Sequence, residues 1–132
     1  MPLNGLAIAD DATVSISAGT AKTYGLTSTV VPGGVNVADF SQTDFRLRRH
    51  ITFRNRNPQK LADGTFSKAK RSFVFTTPID AGSGKIEYLV DRWESEQPVS
   101  ASAAQLLTHR KNVLQLLIDS DVESFHTTGS IA

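Results

Sequence analysis

The sequence predicts an α+β fold in which an antiparallel sheet of about six strands precedes two C-terminal helices. Apolar and polar residues alternate with a period of two from Asp44 to about Phe53, as in a strand with two unlike faces. After Pro98 the period becomes that of a helix. With 132 residues and 39% apolar content, the chain suits one domain. We therefore expect a single domain with the sheet in residues 1–98 and the helical part in residues 99–132.

The first forty residues are rich in Thr, Ser, Val and Gly and predict short strands. The stretch "LAIADDATVSISAG" has two alternating runs that Asp10 and Asp11 interrupt, which is typical of a hairpin. "YGLTSTVV" is a further strand, and Pro32, Gly33 and Gly34 end it before the strand "VNVADF".

Two long strands follow, the first from Asp44 and the second from Ser67 to Thr77. A turn with Pro58 and an Asp-Gly pair joins them, and each strand has one mainly apolar and one mainly basic parity. "KIEYLVDRW", after the turn "DAGSGK", is the last strand. Its pattern leaves open which face is buried. Tyr88 and Trp93 could each stack on a nucleobase, but for Trp93 we favour packing in the core.

The helical part begins with a capping box, in which Ser102 is followed three residues later by Gln105. A similar pattern at Ser120 predicts a second short helix that runs to about Thr127. The first helix carries an apolar stripe made of Leu106, Leu107, Val113, Leu114, Leu117 and Ile118. If the helices cover the apolar face of the sheet, the basic face stays open to solvent.

Charge is distributed unevenly along the chain. The formal net charge is only +1, but residues 44–71 hold nine Lys or Arg and two acids. That segment is therefore +7 and the remainder −6. Like charges opposite one another destabilise a sheet, and no intramolecular anion is evident beside these cations. A bound phosphate backbone would relieve the repulsion between them. We favour RNA over DNA because a broad sheet suits looped-out bases; the simpler interpretation is a solvated charged face.

Several function classes lack support in the sequence. The absence of cysteine excludes disulfides, thiolate catalysis and cysteine-ligated metals. "GSGK" is not a phosphate-binding loop, because Ile79 and Ile86 stand where that motif needs glycine and Ser or Thr. The three histidines have no ligand spacing. We expect no catalytic residue, no metal, no cofactor and no small-molecule substrate. No signal peptide and no run of eighteen apolar residues occurs, so we expect a soluble chain without a membrane partner.

The order of elements resembles that of the coat proteins of single-stranded RNA bacteriophages, the leviviruses. The resemblance covers nearly the whole chain. It rests on "LAIADDATVSISAG", "FRLRRHITFRNR", "SKAKRSFVFTTP", "KIEYLVDRW" and "SAAQLLTHRKNVLQLLIDSDVESF", and most specifically on "THRKNVLQLL".

This resemblance implies an intertwined homodimer in which two sheets join edge to edge and the helices of each chain pack on the partner. The implied dimer interface consists of Leu106, Leu107, Val113, Leu114 and Leu117. Dimers would build a quasi-equivalent icosahedral shell in which "TPIDAGSGK" contacts neighbours, and would package genomic RNA. The dimers would also bind one genomic RNA hairpin, and this binding would repress translation of the replicase. The protein would then reside in the virion, after assembly in the cytoplasm of the host bacterium.

The family's RNA-facing positions correspond here to the basic parity. They are Arg46, Arg48, His50, Thr52 and Arg54 on one strand, and Lys68, Lys70 and Ser72 on the next. So many arginines favour contacts with phosphates over readout of bases. Arg49 is a charge on the apolar parity, which we expect either near the end of the strand pair or beside an acid of the partner chain. The alternative function is that of a cytosolic RNA-binding regulator that uses the same sheet without forming a shell.

Overall fold

The computed structural model describes residues 3, 5–13, 15 and 17–131. These residues form two compact units. One is the sheet unit, Gly19–Ser100, and the other combines the described part of residues 1–18 with residues 101–131.

The sheet unit contains five antiparallel strands in sequence order, so β1 and β5 are its two edges. The strands are β1 (Tyr24–Leu26), β2 (Gly34–Asp39), β3 (His50–Arg56), β4 (Ala69–Asp80) and β5 (Ile86–Gln97). The antiparallel sheet of the prediction is thus confirmed, with five strands in place of six. The edge strand β5 has 12 residues and extends four residues beyond the predicted strand.

The second unit contains the two predicted helices, α1 (Ala103–Ile118) and α2 (Glu123–Thr128). Helix α1 begins at the predicted capping box, in which Gln105 N donates to Ser102 Oγ (3.2 Å) and Ser102 N donates to Gln105 Oε1 (2.9 Å). A 3₁₀ turn precedes α2 and is capped by Asp119. Helix α2 ends at Gly129, whose φ of 74° is a left-handed conformation that glycine adopts without strain. No helix in the described ranges is both long and apolar enough to cross a membrane.

The N-terminal hairpin of the prediction is not formed by the described residues, none of which lies in a strand before Tyr24. Val14 and Ile16, two apolar positions of that hairpin, lie outside the described residues. Residues 9–11 bind side chains of α1 instead. Ala9 N donates to Gln115 Oε1 (3.0 Å) and Gln115 Nε2 donates to Ala9 O (2.7 Å), so a side-chain amide replaces the strand partner.

This contact uses a polar stripe on α1 with helical spacing, namely Thr108, Lys111, Asn112 and Gln115. Thr108 and Lys111 both donate to Asp11 Oδ1 at 3.1 Å, and Asn112 donates to Asp10 Oδ1 at 2.9 Å. The hydrogen bond from Lys111 is the main cause that lowers the pKa of Asp11 below its ordinary value. The segment "THRKNVLQ" is therefore a binding surface for the chain's own N-terminal segment.

Strand β3 begins six residues later than predicted, because the chain turns at Asp44. The Asp44 carboxylate accepts a hydrogen bond from Arg46 N (3.0 Å), and Phe45–Leu47 forms a 3₁₀ turn. An aspartate bonded to the backbone two residues ahead offers the chain an alternative to strand pairing. Arg46 and Arg48 are consequently not strand residues.

The register of β3, β4 and β5 gives the sheet two unlike faces. Phe53 lies opposite Phe73, and Phe73 lies opposite Trp93. The ring centroids are 6.1 Å apart in the first pair and 5.2 Å apart in the second, where the rings are stacked. This aromatic row supports the packing interpretation of Trp93. It also shows which side chains of β5 share a face: Trp93 lies on the aromatic face and Tyr88 on the opposite face.

Much apolar surface remains exposed in both units. On the aromatic face, Phe53 and Leu89 are 43% and 56% exposed, and on α1 Leu117 and Ile118 are 57% and 62% exposed. The buried apolar residues in the described ranges are small or medium in size: Ala38, Ala69 and Val122. Apolar patches of this kind mark interaction surfaces.

We expect Gln115→Met to destabilise the protein by about 1–3 kcal/mol, because it removes two hydrogen bonds with Ala9 that each contribute about 0.5–1.5 kcal/mol. Urea unfolding of the full chain measures this loss. His109→Met, at an exposed position of the same helix outside the apolar stripe, is the control and should change the free energy of unfolding by less than about 0.5 kcal/mol. Equal stability of the two variants would show that the amide contact contributes nothing.

Candidate nucleic-acid interface

One face of the sheet is polar, and we call it the polar face. Its side chains alternate with those of the aromatic row. Across β2 to β5 it carries Asn36, Ala38, His50, Thr52, Arg54, Arg56, Lys70, Ser72, Val74, Thr76, Tyr88, Val90, Arg92, Glu94 and Glu96.

Five of the eight sequence-predicted RNA-binding residues lie on this face: His50, Thr52, Arg54, Lys70 and Ser72. Arg54 lies opposite Ser72, so the strand pair brings the two predicted clusters together. Lys68 precedes β4 by one residue, and Arg46 and Arg48 precede β3. For the two arginines, the prediction that they belong to the basic parity of the strand is wrong, because the turn at Asp44 comes first.

A buried amide, which the sequence reasoning missed, organises the centre of the polar face. Asn36 is 9% exposed, and its Nδ2 donates to Thr52 Oγ1 at 2.8 Å. Its Oδ1 accepts from Thr27 Oγ1 at 2.8 Å and lies 3.3 Å from His50 Nδ1. Since an amide oxygen only accepts, this contact is a hydrogen bond in the tautomer that carries the proton on Nδ1 of His50. The only sequence signal was a polar residue between two valines of β2.

The charges of the polar face are of mixed sign, which contradicts the expectation that the cations have no intramolecular anion. Strand β5 places Glu94 opposite Ser72 and Glu96 opposite Lys70. Lys70 Nζ lies 3.6 Å from Glu94 Oε1 and 3.3 Å from Glu96 Oε1. A charge count over residues 44–71 alone could not detect these acids, because they come from a strand further along the chain.

Arg54 and Arg56 differ from Lys70 because both are exposed and neither forms an ion pair with a described residue. Both lie at the end of β3, and Arg56 faces Lys70 across the ladder. Arg92 on β5 is likewise exposed and forms no ion pair with a described residue, so the available positive charge of the polar face comes from Arg54, Arg56 and Arg92. Arg56 belongs to the alternating stretch of the sequence but was not among the eight predicted residues.

Arg46 and Arg48 are held by different contacts outside the strands. Arg46 Nη2 lies 3.0 Å from Asp44 Oδ2, and the hydrogen bond from its side chain is the main cause that lowers the pKa of Asp44. Arg48 Nε donates to Gln42 O at 2.8 Å, and its guanidinium carbon lies 4.9 Å from the ring centroid of Phe40. Arg46 is thus neutralised locally, whereas Arg48 is fixed by a carbonyl and an aromatic ring.

Tyr88 is the aromatic side chain that β5 contributes to the polar face. It lies opposite Pro78 and is 60% exposed. An exposed ring on a face with cations is a stacking platform of the kind that unpaired bases use.

Arg49 precedes β3 directly and lies near the end of the strand pair, as one of the two expectations had it. It lines a cavity of about 390 Å³ together with Lys22 and the nearly buried Asp39. Hydrogen bonding from Ser41 is the main cause that lowers the pKa of Asp39, and the positive charges of Lys22 and Arg49 add to it. Arg49 thus lies near the Asp39 carboxylate of its own chain.

The part of the chain that the structure describes contains no cluster of three or more His, Asp or Glu that could hold a metal ion. The site is a surface of cations, carboxylates, amides, hydroxyls and one exposed ring, arranged on an antiparallel ladder of strands. Such a surface suits binding of an extended polar polymer.

The whole chain is similar to subunits of phage particles whose structures are known. It is 34% identical to the chain in the virus-like particle of bacteriophage GQ-907, with a TM-score of 0.90 over 98% of this chain and 99% of that one. The virus-like particles of bacteriophage AVE019 and of Beihai levi-like virus 21 share the fold, with TM-scores of 0.67 and 0.64 at 13% and 12% identity. Those alignments cover 96% and 95% of this chain, and 97% of each neighbour. No family model and no curated protein matches the sequence.

Fold and full-length similarity together define the class of this protein as a viral capsid protein, which is a structural class. The chain belongs to the levivirus-type coat protein family, which confirms the resemblance found in the sequence.

Proposed function

We propose that two copies of this chain form a homodimer, that dimers assemble into an icosahedral shell, and that the polar face holds single-stranded RNA inside it. The observation that carries the proposal is the pair of unpaired, exposed cations, Arg54 and Arg56, beside the amide network on one face of the sheet. Membership of the coat protein family supports the assembly. The virion is then the site of action, after assembly in the host cytoplasm.

The edge strand β5 supports the dimer. It is 12 residues long and has no strand partner on its outer side among the described residues. An exposed edge of that length invites pairing with another strand, and pairing with its own copy about a two-fold axis would close it. The two polar faces would then become continuous.

The apolar surface supports the same dimer. The stripe of Leu106, Leu107, Val113, Leu114 and Leu117 and the exposed aromatic face each need a cover, and a second copy supplies both. This stripe remains our proposed dimer interface.

RNA binding on the polar face divides into two kinds of contact. Arg54 and Arg56 would neutralise phosphates, whereas Lys70 would contribute less because Glu94 and Glu96 already neutralise it. The fixed donors and acceptors around Asn36, with Tyr88, would read and stack unpaired bases. This polar network supports the additional role as a repressor that binds one RNA hairpin of the replicase message. It gives base readout more weight than the number of arginines suggested.

We expect Arg54→Ala and Arg56→Ala each to lower the salt dependence of single-strand RNA binding by about 0.7 in log–log slope, since each removes one phosphate contact. The double variant Glu94→Gln with Glu96→Gln should change the slope in the opposite direction by a similar amount, because it frees Lys70. Binding isotherms at several salt concentrations measure both effects.

Arg71→Ala is the control for the arginines, because Arg71 is exposed, lies on the aromatic face and donates to Gln97 at 2.6 Å. Glu87→Gln is the control for the acids, because Glu87 pairs with Lys85 and lies outside the polar face. If Arg71→Ala lowers the slope as much as Arg54→Ala does, the assignment of RNA to the polar face is wrong.

Leu114→Asp should prevent dimerisation, because it places a charge in an apolar interface. Sedimentation and electron microscopy would show uniform particles for the wild-type chain and none for this variant. His109→Asp puts the same charge at an exposed position outside the stripe and should leave particles intact. Normal particles from Leu114→Asp would contradict the proposed interface. Small oligomers of the wild-type chain would favour the alternative of a cytosolic RNA-binding regulator.

A further inference from the structure

The outer strand β5 carries charges on the polar face that the single chain does not balance. Glu94 and Glu96 share the ammonium group of Lys70. Glu94 is the more distant of the two acids, at 3.6 Å, and its side chain is 57% exposed. Arg92 lies on the same face, is exposed and forms no ion pair with a described residue. An acid and a cation of β5 are therefore available to a partner.

The geometry of sheets restricts how β5 can pair with its own copy. In an antiparallel pair, directly opposite side chains lie on the same face, so Arg92 can face residues of its own parity but not the partner's Trp93. A two-fold axis makes the contacts reciprocal, and one residue of β5 then lies opposite itself on the axis. The registers therefore differ in which residue lies on that axis.

Charge distinguishes these registers. Like charges directly opposite each other destabilise a sheet. This disfavours an axis at several residues of β5, namely Leu89, Asp91, Arg92, Glu94, Ser95 and Glu96. An axis at Val90 avoids the repulsion but leaves Arg92 and Glu94 opposite uncharged residues. With Trp93 on the axis, Arg92 faces the partner's Glu94, and Glu94 faces the partner's Arg92, so this register balances both charges.

The aromatic face favours the same register independently. Trp93 is stacked on Phe73 within the chain, at 5.2 Å between ring centroids, and is only half-buried. On the axis its ring would face the partner's Trp93, and the aromatic rows of the two chains would become one row across the dimer. Aromatic pairs are among the cross-strand pairs that stabilise a sheet. Asp91 would face the partner's Ser95, whose hydroxyl can donate to the carboxylate.

We propose that β5 pairs with its own copy in the register that places Trp93 on the two-fold axis, and that Arg92 forms an ion pair with the partner's Glu94 on each side of it. The proposal rests on the proposed function, because it assumes that the homodimer forms through β5. It goes further by fixing the register of that interface and by assigning Arg92 and Glu94 as the residues that specify it.

The test uses disulfide cross-linking, since the chain contains no cysteine of its own. Full chains with Arg92→Cys and with Glu94→Cys are co-expressed, oxidised and separated on non-reducing gels. The mixture should form covalent dimers, because directly opposite residues have Cα atoms about 4.5–5.5 Å apart, within disulfide range. Neither variant alone should cross-link, because its two copies are diagonal neighbours about 7–8 Å apart.

Val90→Cys co-expressed with Glu94→Cys is the matched control. These positions lie on the same strand and face, but they face each other only if Arg92 lies on the axis, so this mixture should not cross-link. Covalent dimers of the control mixture, or of Arg92→Cys or Glu94→Cys alone, would overturn the register and leave the β5 interface standing. A dimer in sedimentation without any of these cross-links would overturn the β5 interface as well. A monomeric wild-type chain would overturn the proposed dimer itself.

The ion pair has a separate test in co-expression of Arg92→Glu with Glu94→Arg chains. Each homodimer would then place like charges opposite each other, whereas the heterodimer would restore both attractive pairs. Native mass spectrometry should therefore show heterodimers well above the statistical half of all dimers. Statistical proportions would show that these side chains do not face each other across the interface, and would overturn the ion pair.

Discussion

The antiparallel register of β3, β4 and β5 determines which side chains share a face, and every other property of the sheet depends on it. Side chains alternate along a strand, so a slip of one residue would exchange the two faces completely. The row of Phe53, Phe73 and Trp93 holds the register through two aromatic contacts. The same register places Arg54 beside Ser72, and it places Lys70 beside Glu96. Packing of the aromatic row therefore determines which side chains are neighbours on the polar face.

The single chain leaves an apolar sheet face partly exposed, and its 12-residue edge strand β5 has no strand partner on its outer side among the described residues. Phe53 and Leu89 remain half exposed, as does the stripe on α1 that includes Leu117. In an ordinary monomer these would be defects that promote aggregation. Subunits that assemble bury such surfaces against their neighbours, so the incompleteness of the single chain is consistent with the family to which it belongs.

The sequence predicted those parts of the fold that are encoded locally. Alternation revealed β3 and β4, and the capping box located the start of α1 correctly at Ser102. The order of elements was sufficient to indicate the family. The sequence could not show that the Asp44 carboxylate would bind its own backbone and delay β3, because such a bond is an alternative to strand pairing that leaves the alternating pattern unchanged.

Contacts between distant segments were the main source of error. The acids that neutralise Lys70 lie about 25 residues further along the chain, so only the register of β5 reveals them. The amide network of Asn36 joins three separate segments, β2, β3 and the turn after β1. The N-terminal segment binds the side chain of Gln115, more than 100 residues away, in place of forming a hairpin. None of these contacts has a periodic signature in the sequence.

The most direct test of the RNA-facing role of the polar face is photochemical crosslinking of RNA inside purified particles, with mapping by mass spectrometry. Trypsin cleaves after Lys85 and Arg92, so Tyr88 and Trp93 fall in separate, adjacent peptides although both lie on β5. We expect RNA adducts on the peptide with Tyr88, whose ring is on the polar face, and none on Trp93, whose ring is on the aromatic face. Adducts on Trp93 without adducts on Tyr88 would show that RNA lies against the opposite face.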